Sequence, residues 1–248
     1  MRLDIITLFP ELIQPFLSVG ITRRAFESKQ IDVHLWQLRD YALGNYKRVD
    51  DRPFGGGPGM VMLAEPLAAC LAAIKHAREA LSDKASSSAN RSCPVVLFSP
   101  IGQTIAQSVV ETWAKAAGEF GEGAILICGR YEGLDQRFID EYVTHQLSLG
   151  DFVLSGGEIA AVAFLDAIAR LQPGVLTDEQ SHLQDSFNPS ISGLLDCPHY
   201  TRPEVWNGVK VPEVLMSGNH AKIDAWRQAE RLELTRNLRP DLLPQSKL

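Results

Sequence analysis

Short apolar runs alternate along the chain with longer amphipathic or alanine-rich segments, and that alternation predicts the elements. Leu3 to Phe9 (LDIITLF) reads as a first, mostly buried strand stopped by Pro10. Glu11 to Val19 and Thr22 to Lys29 read as a helix pair, with Thr22 as an N-cap. Ile31 to Leu38 alternates apolar and polar residues, the period of a second strand. Arg39 to Met60 is irregular, and Glu65 to Leu81 is an alanine-rich helix. Ser82 to Ser92 is polar and serine-rich without periodicity, the pattern of a mobile surface loop. Pro94 to Ser99 is another buried strand, and Gln103 to Ala117 is an amphipathic helix. Ala124-Ile125-Leu126-Ile127-Cys128 is a buried strand that ends where glycines begin. Val143 to Leu149 is a further apolar run, and Ile159 to Leu171 is a helix.

Strands alternating with helices imply an α/β fold with a mainly parallel sheet covered by helices on both faces. After Pro173-Gly174 the character changes. Val175 to Ser192 is polar, contains Pro189 and reads as an interdomain linker. Beyond it, Asn219 to Leu234 carries Ala221, Ala225, Trp226, Ala229 and Leu232 at helical spacing, and no strand is visible. The expected division is a domain over 1–174, a linker over 175–192 and a small all-helical domain over 193–248. A hydrophobic share of 45% with 22% charged residues permits a sizeable core. No apolar run approaches the eighteen or so residues that span a bilayer, and Met1-Arg2-Leu3-Asp4 does not open a signal peptide. Cys70, Cys93, Cys128 and Cys197 are too scattered for a CxxC metal site or a disulfide framework, as expected of reduced thiols in a cytoplasmic protein. The net charge of −6 argues against nucleic acid when taken alone, but it hides an asymmetry. Residues 193–248 carry 8 Lys and Arg against 7 Asp and Glu, so a local basic face remains open.

Two glycine-bearing loops carry the candidate chemistry. Gly129-Arg130-Tyr131-Glu132-Gly133-Leu134-Asp135 follows one strand, and Ser148 to Glu158 (SLGDFVLSGGE) follows the next apolar run. Loops of this kind at the strand ends of an α/β sheet offer exposed main chain to a small ligand, although a plain sheet-end turn satisfies the same pattern. The dinucleotide fingerprint is absent. Gly55 to Gly59 lacks the Gly-Lys-Ser/Thr ending of a phosphate loop. With Asp50, Asp51 and Arg52 just upstream, in a segment too long for a simple connection, it reads as a substrate-contacting loop including Arg52, Gly56 and Gly57. Asp185, in the polar segment, and Arg170, ending the Ile159–Leu171 helix, are the candidate reactive pair. A turn-forming aspartate and a helix-dipole cation would look the same. The six histidines show no metal-ligand spacing, no GxSxG elbow appears, and Cys128 in its apolar strand reads as packing.

Seven segments in order, LDIITLFPE (3–11), VDDRPFGGGPGMVM (49–62), ICGRYEGLD (127–135), SLGDFVLSGGE (148–158), DSF (185–187), GLLDCPHYTRPEVW (193–206) and LMSGNHAKI (215–223), closely resemble one family. That family is the bacterial tRNA (guanine-N1-)-methyltransferases of the SPOUT class. The resemblance implies a deep trefoil knot, a rare exception to the rule that chains do not thread loops. It implies S-adenosylmethionine held by Ser99, Pro100, Gly129, Tyr131, Ser148, Leu149, Gly150, Asp151, Phe152, Val153, Leu154, Gly156 and Gly157. Where the family commonly has Leu-Pro-Ala after the glutamate, this chain has Ile159-Ala160-Ala161. Asp185 matches the general base that takes the N1 proton of guanosine 37, and Arg170 the cation that stabilises charge on O6. Glu132 matches a residue that orients the base or helps hold Mg²⁺. A homodimer with each active site at the subunit interface is also implied. The helical domain would grip tRNA phosphates through Arg202, Lys210, Lys222, Arg227, Arg231 and Arg236. Rival readings are a SPOUT methyltransferase acting on a ribose 2′-hydroxyl and a non-catalytic RNA-binding module.

Overall fold

Alternation along Leu3–Leu8 sends successive side chains to opposite faces, so this segment requires a covered surface on each side. A computed structural model of the chain describes residues 1–81, 93–115, 123–178 and 181–244. They form two compact units, Met1–Thr177 and Asp178–Leu248. In chain order the first unit has β1 (Arg2–Thr7), α1 (Arg23–Glu27), β2 (Asp32–Gln37), β3 (Asp50–Asp51), β4 (Val61–Met62), α2 (Ala64–Leu81) and β5 (Val95–Thr104). It continues through α3 (Gln107–Ala114), β6 (Gly123–Cys128), α4 (Gln136–Tyr142), β7 (His145–Ser148) and α5 (Glu158–Ala169).

Five strands pair in the order β2-β1-β6-β5-β7, and every pairing is parallel. On one face Leu3, Ile5, Leu126, Val96 and Phe98 pack with Ala25 of α1, Val110 and Trp113 of α3, and Phe164 and Leu165 of α5. On the other, Ile6, Ile125, Ile127, Val95 and Leu97 pack with Leu67, Leu71 and Ile74 of α2 and Phe138 of α4. Every residue of β6 is buried, which is why its sequence has no polar position. Each fully buried Leu or Ile there contributes about 1.5–3 kcal/mol. Buried Asp4 interrupts the apolar pattern of β1. Arg78 Nε donates to it at 2.6 Å, Trp36 Nε1 at 2.8 Å, and Arg2 closes the cluster.

Three expectations differ, and one helix was missed. Glu11 to Val19 is not a helix but two 3₁₀ turns, Pro10–Leu12 and Gln14–Ser18, because Pro15 cannot donate to an α-helical ladder. Thr22 is buried in helical conformation and makes no capping bond. The helix expected from Gln103 begins only at Gln107, since Gln103 and Thr104 instead pair with Leu147 and Ser148 of β7. Tertiary strand pairing overrides local periodicity there. The seven residues of α4 were too short to show a helical period. The Ser82–Ser92 loop lies outside the described residues.

The second unit opens with 3₁₀ turns at His182–Gln184 and Pro189–Ile191. It then forms β8 (Val205–Trp206), β9 (Val209–Lys210), α6 (Glu213–Met216) and α7 (His220–Leu238). The expectation of an all-helical region is therefore corrected by a small antiparallel hairpin. Its Asn207-Gly208 turn has positive φ at both residues, 50° and 80°, as a tight two-residue hairpin turn requires. Two-residue strands are too short to register as alternation. α7 starts at an Asn219 cap, whose side chain accepts from Lys222 N at 3.2 Å, and runs four residues beyond the expected end. Val175 is buried in the core of the first unit. Among the described residues no helix is long and apolar enough to cross a membrane.

Candidate active site

The cavity lies where three neighbouring parallel strands, β6, β5 and β7, run out at their C-terminal ends, the usual place for ligands in open α/β sheets. β5 lies between its two successors, because the chain proceeds to β6 on one side and then to β7 on the other. A register shift between Phe98 and Gln103 frees the 99–102 segment from the ladder. Gly102 permits the irregularity: a Cβ there would stand 2.4 Å from the Gln146 carbonyl carbon and 2.5 Å from Leu147 N. The result is a cavity of about 440 Å³, within the range that takes a drug-sized ligand.

Gly157 joins the two glycine loops. Its N–H donates to Gly129 O at 2.9 Å, and a Cβ would lie 2.8 Å from Cys128 Cα and 3.1 Å from Gly129 N. Only glycine lets α5 start this close to the end of β6. The Glu158 carboxylate that follows is buried and held by three bonds from two side chains. Thr7 Oγ1 donates to Oε1 at 2.8 Å, while Arg130 Nε and Nη2 donate to Oε2 at 2.9 and 2.8 Å. Arg130 also donates to Ser155 O and lies 4.6 Å over the Phe9 ring. This pair clamps the Gly129 loop to the 150–157 loop and to β1. Truncating Glu158 to alanine would leave the Arg130 charge uncompensated, an expected loss of about 3–5 kcal/mol of stability by urea unfolding. A loss within experimental error would contradict the clamp.

The β3–β4 hairpin backs onto the same loop. Glu132 N donates to Met60 O at 2.9 Å, Met62 N to Gly133 O at 2.8 Å, and Asp135 N to Met62 O at 3.0 Å. Glu132 lines the cavity. Arg52, Gly56 and Gly57 lie exposed on the hairpin loop and do not line it. Burial drives the Cys128 thiol well above its ordinary range, so this residue is packing and no nucleophile.

Of the residues expected to hold the cofactor, Ser99, Pro100, Gly129, Tyr131, Ser148, Leu149, Phe152, Val153, Leu154, Gly156 and Gly157 line the cavity together. Gly150 and Asp151 do not line it. Gly150 instead is tied through both its N–H and its carbonyl to the Ser148 hydroxyl, each at 3.1 Å, and so shapes the turn. Ala160, where the family commonly has proline, lines the cavity wall. The donor set suits S-adenosylmethionine: bare main chain around Gly157, and apolar walls from Leu97, Leu134, Ile139 and Leu147 for a purine ring. Arg170 is elsewhere. It caps the far end of α5, some 18 Å along the axis from the glycine loop at 1.5 Å per residue.

Asp185 belongs to the second unit, where it follows the His182–Gln184 turn and is half-buried. The neighbouring chain is fixed by Phe187 N donating to Leu194 O at 2.8 Å and by Asp196 N donating to Ser186 Oγ at 2.9 Å. Asp196 in turn organises this unit. Arg231 Nη2 donates to it at 3.1 Å and Nε at 3.2 Å, and His199 Nε2 lies at 2.9 Å. Burial alone would raise its carboxyl, but the bonds from His199, Cys197 N and Arg231 outweigh burial and hold it below its ordinary value. Arg231, expected to grip phosphate, is thus corrected: it is only 8% exposed and its guanidinium is engaged by Asp196. Arg202, Lys210, Lys222 and Arg236 are exposed, and half-exposed Arg227 stands 3.7 Å from Asp224.

Sequence reasoning gave no role to Arg130, Glu158 or Thr7. The available signal was a lone arginine in the first glycine loop and a glutamate opening an alanine-rich helix after the second.

A family model described as tRNA (Guanine-1)-methyltransferase TrmD matches residues 1–245. A protein of Albidiferax ferrireducens named tRNA (guanine-N(1)-)-methyltransferase is 63% identical over 247 residues, covering 100% of this chain and 93% of the relative. One of Polaromonas with the same name is 59% identical, covering 100% and 91%. One of Bordetella parapertussis, again so named, is 51% identical, covering 100% and 91%.

Proposed function

Because the chain belongs to the tRNA (guanine-1)-methyltransferase family, we propose that it methylates N1 of guanosine 37 in tRNA, with S-adenosylmethionine held in the strand-end cavity. The observation that carries this reading is the convergence of eleven expected cofactor residues on one cavity. The loops around it would form the SPOUT knot. When bound, the cofactor supplies a methyl group on a sulfonium, which is already electrophilic.

The nucleophile needs the help. Guanine N1 carries a proton at neutral pH, and Asp185 takes it as general base. Negative charge then develops toward O6, where the Arg170 guanidinium stabilises it. One chain's α5 holds Arg170 far from that chain's own cavity, which supports a dimer whose sites are shared between protomers. Exposed Phe152, Val153 and Ile159 beside the cavity supply apolar surface for such an interface. Glu132 orients the base. Among the described residues no group of three or more His, Cys, Asp or Glu side chains could hold a metal, and no step is routed through Mg²⁺.

Reaching N1 requires the nucleotide to leave its stack. Arg202, Lys210, Lys222, Arg227 and Arg236 would grip the tRNA phosphates, with Arg52, Gly56 and Gly57 contacting the substrate from the hairpin loop. The four cysteines are free, which suits work in the cytoplasm, where tRNA is found. Incubation with labelled cofactor and two tRNAs, bearing G or A at position 37, tests the reading. Label should enter the G37 tRNA alone and appear as N1-methylguanosine on digestion. Label in the A37 tRNA, or on a ribose, would overturn it.

A further inference from the structure

Among the described residues Phe54 is the most exposed large apolar side chain, at 98%. Exposure alone says little of a single ring, but its placement says more. β3 and β4 pair at Asp50–Met62 and Asp51–Val61, so residues 52–60 form the loop between them. The base of this loop is fixed. Leu63 N donates to the carbonyl of buried Val49 at 2.8 Å, and Met60 O accepts from Glu132 N at 2.9 Å. The tip is a turn in which Gly56 N donates to Pro53 O at 3.3 Å. Gly55 supplies the positive φ, 86°, at the third position of that turn. Phe54 precedes it, at the apex.

The loop rises against the cavity wall. A Cβ on Gly59 would fall 2.3 Å from Oε1 of Glu132, which lines the cavity. Five residues of chain span at most about 18 Å, which bounds the distance from Gly59 to Phe54. A guanosine drawn out of its stack leaves bared base faces on either side of the place it vacated. A flat apolar ring covers such a face, and base–aromatic stacking tolerates any base. Charge favours the same occupant. Arg52 is the only charged residue in 52–60. Among the described residues its guanidinium pairs with no carboxylate, whereas Asp40 holds Lys47 and Asp51 holds Arg48. An exposed guanidinium two residues from the ring suits a phosphate of the same strand.

We propose that Phe54 stacks on a nucleobase adjoining the extruded guanosine and so holds the tRNA loop open while that guanosine occupies the cavity. This rests on the substrate reading given above. The test uses a tRNA with G at position 37 and two copies, assembled by ligation, that lack the base at position 36 or at position 38. Binding is measured with S-adenosylhomocysteine present. F54A should bind the intact tRNA about 5- to 50-fold more weakly, with the salt slope and the S-adenosylhomocysteine affinity as in the wild type. F54W, which keeps a flat ring, should restore binding to within about threefold. At one of the two positions, removing the base should weaken wild-type binding but cost F54A nothing further, so that the two losses do not add. Losses that add at both positions, or an F54A affinity equal to the wild type's, would overturn the proposal. So would F54A sedimenting as a monomer where the wild type is a dimer, because Phe54 would then serve the subunit interface. Wild-type protein that fails to bind the intact tRNA would overturn the substrate reading itself, and this proposal with it.

Discussion

Replacing Gly157 with alanine should weaken S-adenosylhomocysteine binding by roughly 10- to 100-fold. The alanine Cβ would fall 2.8 Å from Cys128 Cα and 3.1 Å from Gly129 N, both main-chain atoms of neighbouring elements. No side chain can rotate away to make room. Backbone strain is not the cause, because φ at this residue is −76° and suits any amino acid. The added volume must instead part α5 from the end of β6, and the Gly157 N–H to Gly129 O bond opens with it. Overpacking of this kind costs about 1–3 kcal/mol, so the midpoint of denaturant unfolding should fall as well. Calorimetry on the folded variant at low temperature separates the two effects. Unaltered affinity would mean that the junction of the glycine loops does not shape the cofactor site.

Asp185→Ala should lower kcat by about 10²–10⁴ while leaving S-adenosylhomocysteine affinity within a fewfold, the pattern of a lost general base. Asp185→Asn should be as impaired, because an amide of nearly the same shape cannot take the N1 proton. The pair of variants thus separates proton transfer from the turn that Asp185 supports, where Asn188 N donates to its carbonyl at 3.2 Å. That bond uses main-chain atoms and survives both substitutions. Near-normal turnover by either variant would remove Asp185 from the mechanism.

What the sequence made legible follows the range of the interactions. β6 was readable because burial on both faces excludes polar residues from it, and the glycine loops because tight junctions exclude side chains. Strand order was not, since it depends on pairings such as Arg2 with both Asp32 and Gly123 that no local pattern encodes. The Arg130–Glu158 clamp was hidden by a separation of 28 residues. Arg231 resembled its exposed basic neighbours on α7 because that helix carries charge around much of its circumference, so periodicity could not say which side packs. Only the fold brings Asp196, 35 residues away, against it.

Whether the base comes from the partner protomer is decided by mixing the two variants at a cofactor concentration too low to fill the Gly157→Ala cavity. Asp185→Ala supplies an intact cavity, and Gly157→Ala supplies an intact Asp185 and Arg170. After subunit exchange, confirmed by native mass spectrometry, half the dimers should be mixed and each should hold one complete site, restoring about a quarter of wild-type activity. A confirmed population of mixed dimers as inactive as either parent would contradict the shared site.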